Sequence, residues 1–93
     1  MISQAQQKII LEKLSPFDPK RVAVFGSYAR SENKKGSDLD LLVEFGNNIT
    51  LFDIIGIEQE LSEILGIKVD LVTEGALSPY MKPYIEKDLK KLI

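Results

Sequence analysis

The 93-residue sequence contains neither cysteine nor histidine. Without cysteine there can be no disulfide, no thiolate zinc site and no thiol nucleophile. Without histidine the usual general base and the commonest transition-metal ligand are missing too. Chemistry is left to carboxylates, hydroxyls, lysine and arginine, a set that suits a hard, oxygen-seeking cation. Positive charge is not in excess: 12 Lys and Arg against 14 Asp and Glu leave a net charge of −2. A broad grip on nucleic acid needs positive charge clustered on one face, so no direct nucleic-acid partner is expected. No apolar run reaches the ~20 residues that span a bilayer, and the first residues carry no signal-peptide pattern. No membrane partner and a cytoplasmic location are therefore expected. There is no repeat, no low-complexity tract and no Pro/Gly/Ser linker. Hydrophobic residues at 44% and charged residues at 28% are ordinary for a packed core, so residues 1–93 are expected to form one domain.

Periodicity places the elements. Ser3 to Leu14 reads as an amphipathic helix with Ile2, Ala5, Ile9 and Ile10 near one face. Ser15-Pro16 and Asp18-Pro19 break it. Arg21 to Phe25 is a short apolar strand, closed by Gly26-Ser27, after which Ser27 can cap a helical turn through Arg30. Ser31 to Ser37 is a polar loop, and Asp38 to Phe45 is the next strand. Gly46-Asn47-Asn48 makes a turn. Thr50 and Asp53 resemble a capping box for a helix to about Leu65, with Leu51, Ile54, Ile57, Leu61 and Ile64 on its apolar face and Gly66 as terminator. Lys68 to Val72 is the third strand. A last helix is expected with Ser78 as cap, Pro79 at its first position, and Met81, Ile85, Leu89 and Leu92 at helical spacing. On it Lys82, Lys87, Lys90 and Lys91 would form a solvated face. The fold class is α/β (α+β): a three-stranded mixed sheet flanked by helices.

The informative residues lie where these strands begin and end. Within a strand, side chains alternate faces, so Asp38 and Asp40 would project from one side, ~6.5–7 Å apart at the backbone. Two carboxylates so placed repel each other. A pair of magnesium ions would remove that conflict and could hold a nucleoside triphosphate. Asp70 stands inside the apolar run Lys68-Val-Asp-Leu-Val72, where a buried carboxylate is costly unless paired or metal-bound. If that strand lies beside the Asp38–Asp40 strand, three carboxylates converge. Asp38 and Asp40 would then hold both ions, and Asp70 would complete the shell of one and help deprotonate an attacking hydroxyl. Backbone N–H groups after Gly26, with the Ser27 hydroxyl, would hold the terminal phosphates. Arg30 either meets the triphosphate, clamps the turn, or pairs with Glu32 at the surface. Ser37 is a candidate for the phosphate loop or a simple turn residue. Lys34 and Lys35 read as loop solubilisers, and Tyr28, Tyr80 and Tyr84 as core or interface aromatics.

Gly26-Ser27, ten intervening residues, Asp38-x-Asp40 and a later strand Asp70 resemble the minimal nucleotidyltransferase (MNT) family of the DNA polymerase β superfamily. Gly-Ser-Tyr-Ala-Arg30 and Gly36-Ser37 before Asp38 match the family's form of these segments, and the likeness covers nearly the whole chain. The resemblance implies a reduced polymerase-β-like core without fingers or thumb. Many members are MntA-type antitoxins of HEPN/MNT toxin–antitoxin systems, which neutralise a HEPN ribonuclease toxin by moving AMP from ATP to a tyrosine near its active site.

The expected function is thus a magnesium-dependent nucleotidyltransferase, a protein adenylyltransferase with ATP as donor and a HEPN-type toxin as partner. A chain of this size is expected to lack an acceptor-recognition domain, so another molecule would deliver the acceptor. One rival is an antitoxin that masks its toxin by direct contact without catalysis. Another is transfer to a small molecule such as an aminoglycoside, which would need an appended substrate domain. An apolar helix face with tyrosines leaves a homo- or hetero-oligomer open.

Overall fold

The computed structural model describes residues 2–46 and 48–93, so the turn expected at Gly46-Asn47-Asn48 lies partly outside the described residues. The chain runs α1 (Gln4–Leu14), β1 (Pro19–Phe25), β2 (Leu39–Phe45), α2 (Leu51–Leu65), β3 (Val69–Thr73), α3 (Lys82–Asp88) and β4 (Lys90–Lys91). The strands form one mixed sheet in the order β3-β2-β1-β4. β1 is antiparallel to β2 and β4, and β2 is parallel to β3.

Both long helices start with reciprocal caps. Ser3 and Gln6 exchange side-chain and backbone bonds at the head of α1, and Thr50 and Asp53 do so at the head of α2. Each box satisfies two N–H groups that a helix start leaves without partners. α2 ends on Gly66, whose φ of 68° is the left-handed conformation glycine tolerates best. Both helices pack on one face of the sheet. The core there joins Ile10 and Leu14 of α1 and Ile57 and Leu61 of α2 to Val22, Val24, Leu39, Leu41, Val43, Val69 and Leu71. The apolar stripe of α2 is narrower than its sequence implies. Leu51 and Ile64, expected on it, are 69% and 49% exposed, while Ile54 and Leu65 pack against the core. The two exposed residues lie at the margins of the stripe. Ala23 and Leu42, which point to the opposite face, are also buried, as is Ile85 of α3, which packs against β1.

The C-terminal segment departs from expectation. The sheet has four strands rather than three, because α3 stops at Asp88 and Leu89 turns extended. Lys90 and Lys91 pair with Val24 and Ala23, and the Leu92 N–H donates to the Val22 carbonyl at 2.8 Å. Leu89 and Leu92 keep helical spacing, but a short helix gains little from propensity alone, and the open edge of β1 offers backbone partners. The start of α3 is late for a related reason. Ser78 and Pro79 do not cap and open the helix. They form a turn in which Ser78 Oγ accepts from the Tyr80 N–H and its carbonyl accepts from Met81 and Lys82. The helix then begins at Lys82, with Pro83 in its first turn, where a missing N–H costs least. Among the described residues, no helix is long and apolar enough to cross a membrane.

Candidate active site

Strand register brings the candidate residues to one end of the sheet, where β1 finishes and β2 and β3 begin. Phe25 pairs with Asp40, and Asp40 pairs with Asp70. Neighbouring strands lie ~4.8 Å apart, so Asp40 and Asp70 stand side by side on the face turned away from α1 and α2. Asp38 falls just before β2, which starts at Leu39, rather than on the strand as expected. It is still close enough to act on Asp40. Burial raises the pKa of the Asp40 carboxyl, Asp70 and then Asp38 raise it further, and Arg30 opposes them. Three carboxylates therefore share one electrostatic neighbourhood.

Gly26 joins this group to the turn that follows β1. Its φ is 75°, and a side chain there would run into Asp40 Oδ2. Two independent constraints thus call for glycine: a left-handed backbone and a carboxylate lying against its Cα. The chain then turns in a helical sense. The Arg30 N–H donates to the Gly26 carbonyl at 3.2 Å and the Glu32 N–H to the Ser27 carbonyl at 2.8 Å. Residues 26–31 form turns rather than a helix, and buried Tyr28 and Ala29 anchor them to the fold. Ser27 sits at the head of this turn, next to Gly26 and hence to Asp40.

Arg30 is held from two sides. Its Nε donates to Glu32 Oε2 at 3.3 Å and its Nη1 to Asp88 Oδ2 at 3.1 Å. Those bonds, Asp88 first, raise its pKa further. The Glu32 pairing is among the alternatives legible in the sequence. Asp88 is not, since it comes from α3 across a long sequence separation and carries no motif. Ser37 closes its own loop: its Oγ accepts from the Lys34 N–H at 2.8 Å and its N–H donates to the Lys34 carbonyl at 2.9 Å. Lys68, just before β3, approaches Asp38 at 3.8 Å, an exposed pair.

Carboxylate oxygens are the donor type a magnesium ion takes, and Asp38, Asp40 and Asp70 come from adjacent backbone positions. Among the described residues no three acidic side chains are already drawn into a metal-holding group. By donor chemistry the three residues fit a hard divalent cation, and register brings Asp40 and Asp70 together.

Residues 5–92 match the family model described as "Nucleotidyltransferase domain". The chain is 45% identical over 89 residues to "Putative protein adenylyltransferase MJ1217" of Methanocaldococcus jannaschii, which covers 95% of this chain and 88% of that protein. It is 40% identical to "Protein adenylyltransferase MntA" of Thermococcus cleftensis over 82% of this chain and 74% of the relative. Its fold matches a chain in the solved structure of the tri-AMPylated Shewanella oneidensis HEPN toxin in complex with MNT antitoxin. There the TM-score is 0.79 at 21% identity, covering 99% of this chain and 72% of the other.

Proposed function

This chain belongs to the nucleotidyltransferase domain family and is a nucleotidyltransferase; from that premise we propose that it moves AMP from ATP to a tyrosine hydroxyl of a HEPN-type toxin. The observation that carries the reading is the row Phe25–Asp40–Asp70 lying beside the Gly26 turn. It sets the Gly26 turn beside the Asp40 and Asp70 carboxylates, with Asp38 close enough to act on Asp40. The relatives' names support AMP as the transferred group, and the HEPN complex of similar fold supports the partner.

In this reading residues 1–93 act as one domain, in the cytoplasm, without direct contact to nucleic acid. Backbone N–H groups after Gly26 and the Ser27 hydroxyl hold the terminal phosphates, with Ser37 at the loop's far end. Arg30 either stays on Asp88 and Glu32 as a clamp or swings to the triphosphate. Magnesium ions, a pair if the two-metal scheme holds, would be held by Asp38, Asp40 and Asp70, and when bound would supply charge neutralisation for the transfer. Asp70 accepts the proton of the acceptor hydroxyl. The acceptor oxygen forms a bond to the α-phosphorus, the bond from that phosphorus to the bridging oxygen breaks, and pyrophosphate leaves.

Intact-mass analysis of a HEPN-type toxin incubated with the protein, ATP and magnesium tests this. Addition of whole AMP units to tyrosine is the expected result. A toxin of unchanged mass after complete incubation would overturn the reading.

A second reading, masking of the toxin by contact, draws on Tyr80, Met81 and Tyr84, which are 87%, 56% and 78% exposed around the start of α3. Large exposed aromatics and methionine are enriched in protein interfaces. Rescue of toxin-expressing cells by an Asp40→Asn variant would favour masking over transfer.

A further inference from the structure

β3 is an outer strand, paired with β2 on one side only. Along such a strand alternate N–H groups point away from the sheet and are left to water or to covering groups. Here they are taken up by α2. The Val69 N–H donates to Ser62 Oγ at 2.9 Å, and the Leu71 N–H donates to Glu58 Oε2 at 2.7 Å. Both bonds are partly buried. Glu58 and Ser62 are one helical turn apart, so they meet alternate residues of one strand. The residue between those two anchor points is Asp70.

That placement matters because Asp70 is the register partner of Asp40 in the β2–β3 ladder. β2 is gripped on both sides, by β1 and by β3. β3 is the strand free to yield, and it has only five residues. We infer that Glu58 and Ser62 are positioning residues that bracket Asp70 and hold its carboxylate in register with Asp40. The assignment of a catalytic role to Asp70 rests on the proposed function; the bracket itself rests on the two bonds. Glu58 donates no proton and touches no substrate in this scheme. Its carboxylate makes a charge-assisted bond to a backbone N–H, the stronger kind. Asp70, Glu58 and Ser62 also line one open groove of about 530 Å³ along this edge.

Four single variants separate the bracket from general packing. Glu58→Gln and Ser62→Thr keep an acceptor oxygen, whereas Glu58→Ala and Ser62→Ala remove it. Amide hydrogen exchange over residues 69–72 is the first readout. The alanine variants should lose protection at Asp70 and Val72 as well as at Val69 and Leu71, while the conservative pair exchanges like wild type. AMP transfer is the second readout. The alanine variants should lower kcat about 10- to 100-fold, the range typical of residues that orient a metal-binding side chain, with KM for ATP unchanged. In an Asp70→Asn background, Glu58→Ala should cost nothing further, since it acts through Asp70. An unchanged kcat, a loss that persists in the Asp70→Asn background, or no rescue by glutamine would overturn the inference. If the wild type transfers no AMP, the proposed function fails separately. The bracket is then decided by exchange alone, and undiminished protection of Asp70 and Val72 in the alanine variants overturns it.

Discussion

The two faces of β2 do different work with the same seven residues. Leu39, Leu41 and Val43 point into the core and are wholly buried, so any one of them is supported by several neighbours. On the other face Asp40 lies between the Gly26 turn and Asp70, and burial makes its carboxyl harder to ionise. Leu42 is buried on that same face, and Glu44 is exposed. Strand alternation thus lets one segment carry stability on one side and an acidic cluster on the other. A half-buried carboxyl is tolerated in a small fold because the opposite face stabilises the strand that bears it.

Substitutions on each face should therefore separate folding from chemistry. The largest effect on stability is expected from Leu41→Ala. It should cost about 2–5 kcal/mol, read by denaturant unfolding, because the cavity opens in the middle of the packed face. Gly26→Ala comes next and crosses the boundary between the two roles. A left-handed backbone costs a non-glycine residue roughly 1–2 kcal/mol, and the new methyl must also displace Asp40. Melting should show the stability cost, and AMP transfer should fall further than that cost explains. A variant with normal transfer would mean that the contact between Gly26 and Asp40 has no part in the chemistry.

The smallest effect is a pH dependence. Asp40 has a folded pKa above its unfolded one, so the folded state holds the proton more tightly. Ionisation then costs the fold stability as pH rises from the unfolded value, about 3.9, through the raised folded value. Asp40→Asn removes that cost. Its stability advantage over wild type should be absent in acid, grow across that window and stay constant at neutral pH. Thermal melts from acid to neutral pH check this, and an advantage that shrinks with rising pH would reverse the assignment.

Much of this organisation is legible in the order of the residues alone. The alternation of Asp38, Leu39, Asp40 and Leu41 implies a two-faced strand, Thr50 and Asp53 announce the head of α2, and an aspartate inside Lys68–Val72 points to a partner strand. Each of those signals is local, or depends on a short-range period. The parts that are not legible depend on what lies across space. β4 forms because the edge of β1 is open to Lys90 and Lys91, which no periodicity reveals. Asp88 reaches Arg30, and Ser62 and Glu58 reach β3, only once the helices are docked. Leu51 and Ile64 obey helical spacing but stay exposed at the margins of the packed stripe.

The most direct test compares wild type and Asp40→Asn in one experiment, measuring labelled AMP transfer and melting temperature at neutral pH. Transfer should fall by several kcal/mol of lost charge stabilisation, on the order of 10³-fold in rate. The melting temperature should rise slightly, because burial and the neighbouring carboxylates no longer oppose a charge at this position. Undiminished transfer by Asp40→Asn would overturn the assignment of this face to nucleotidyl transfer. A large drop in its melting temperature would show that Asp40 serves the fold instead.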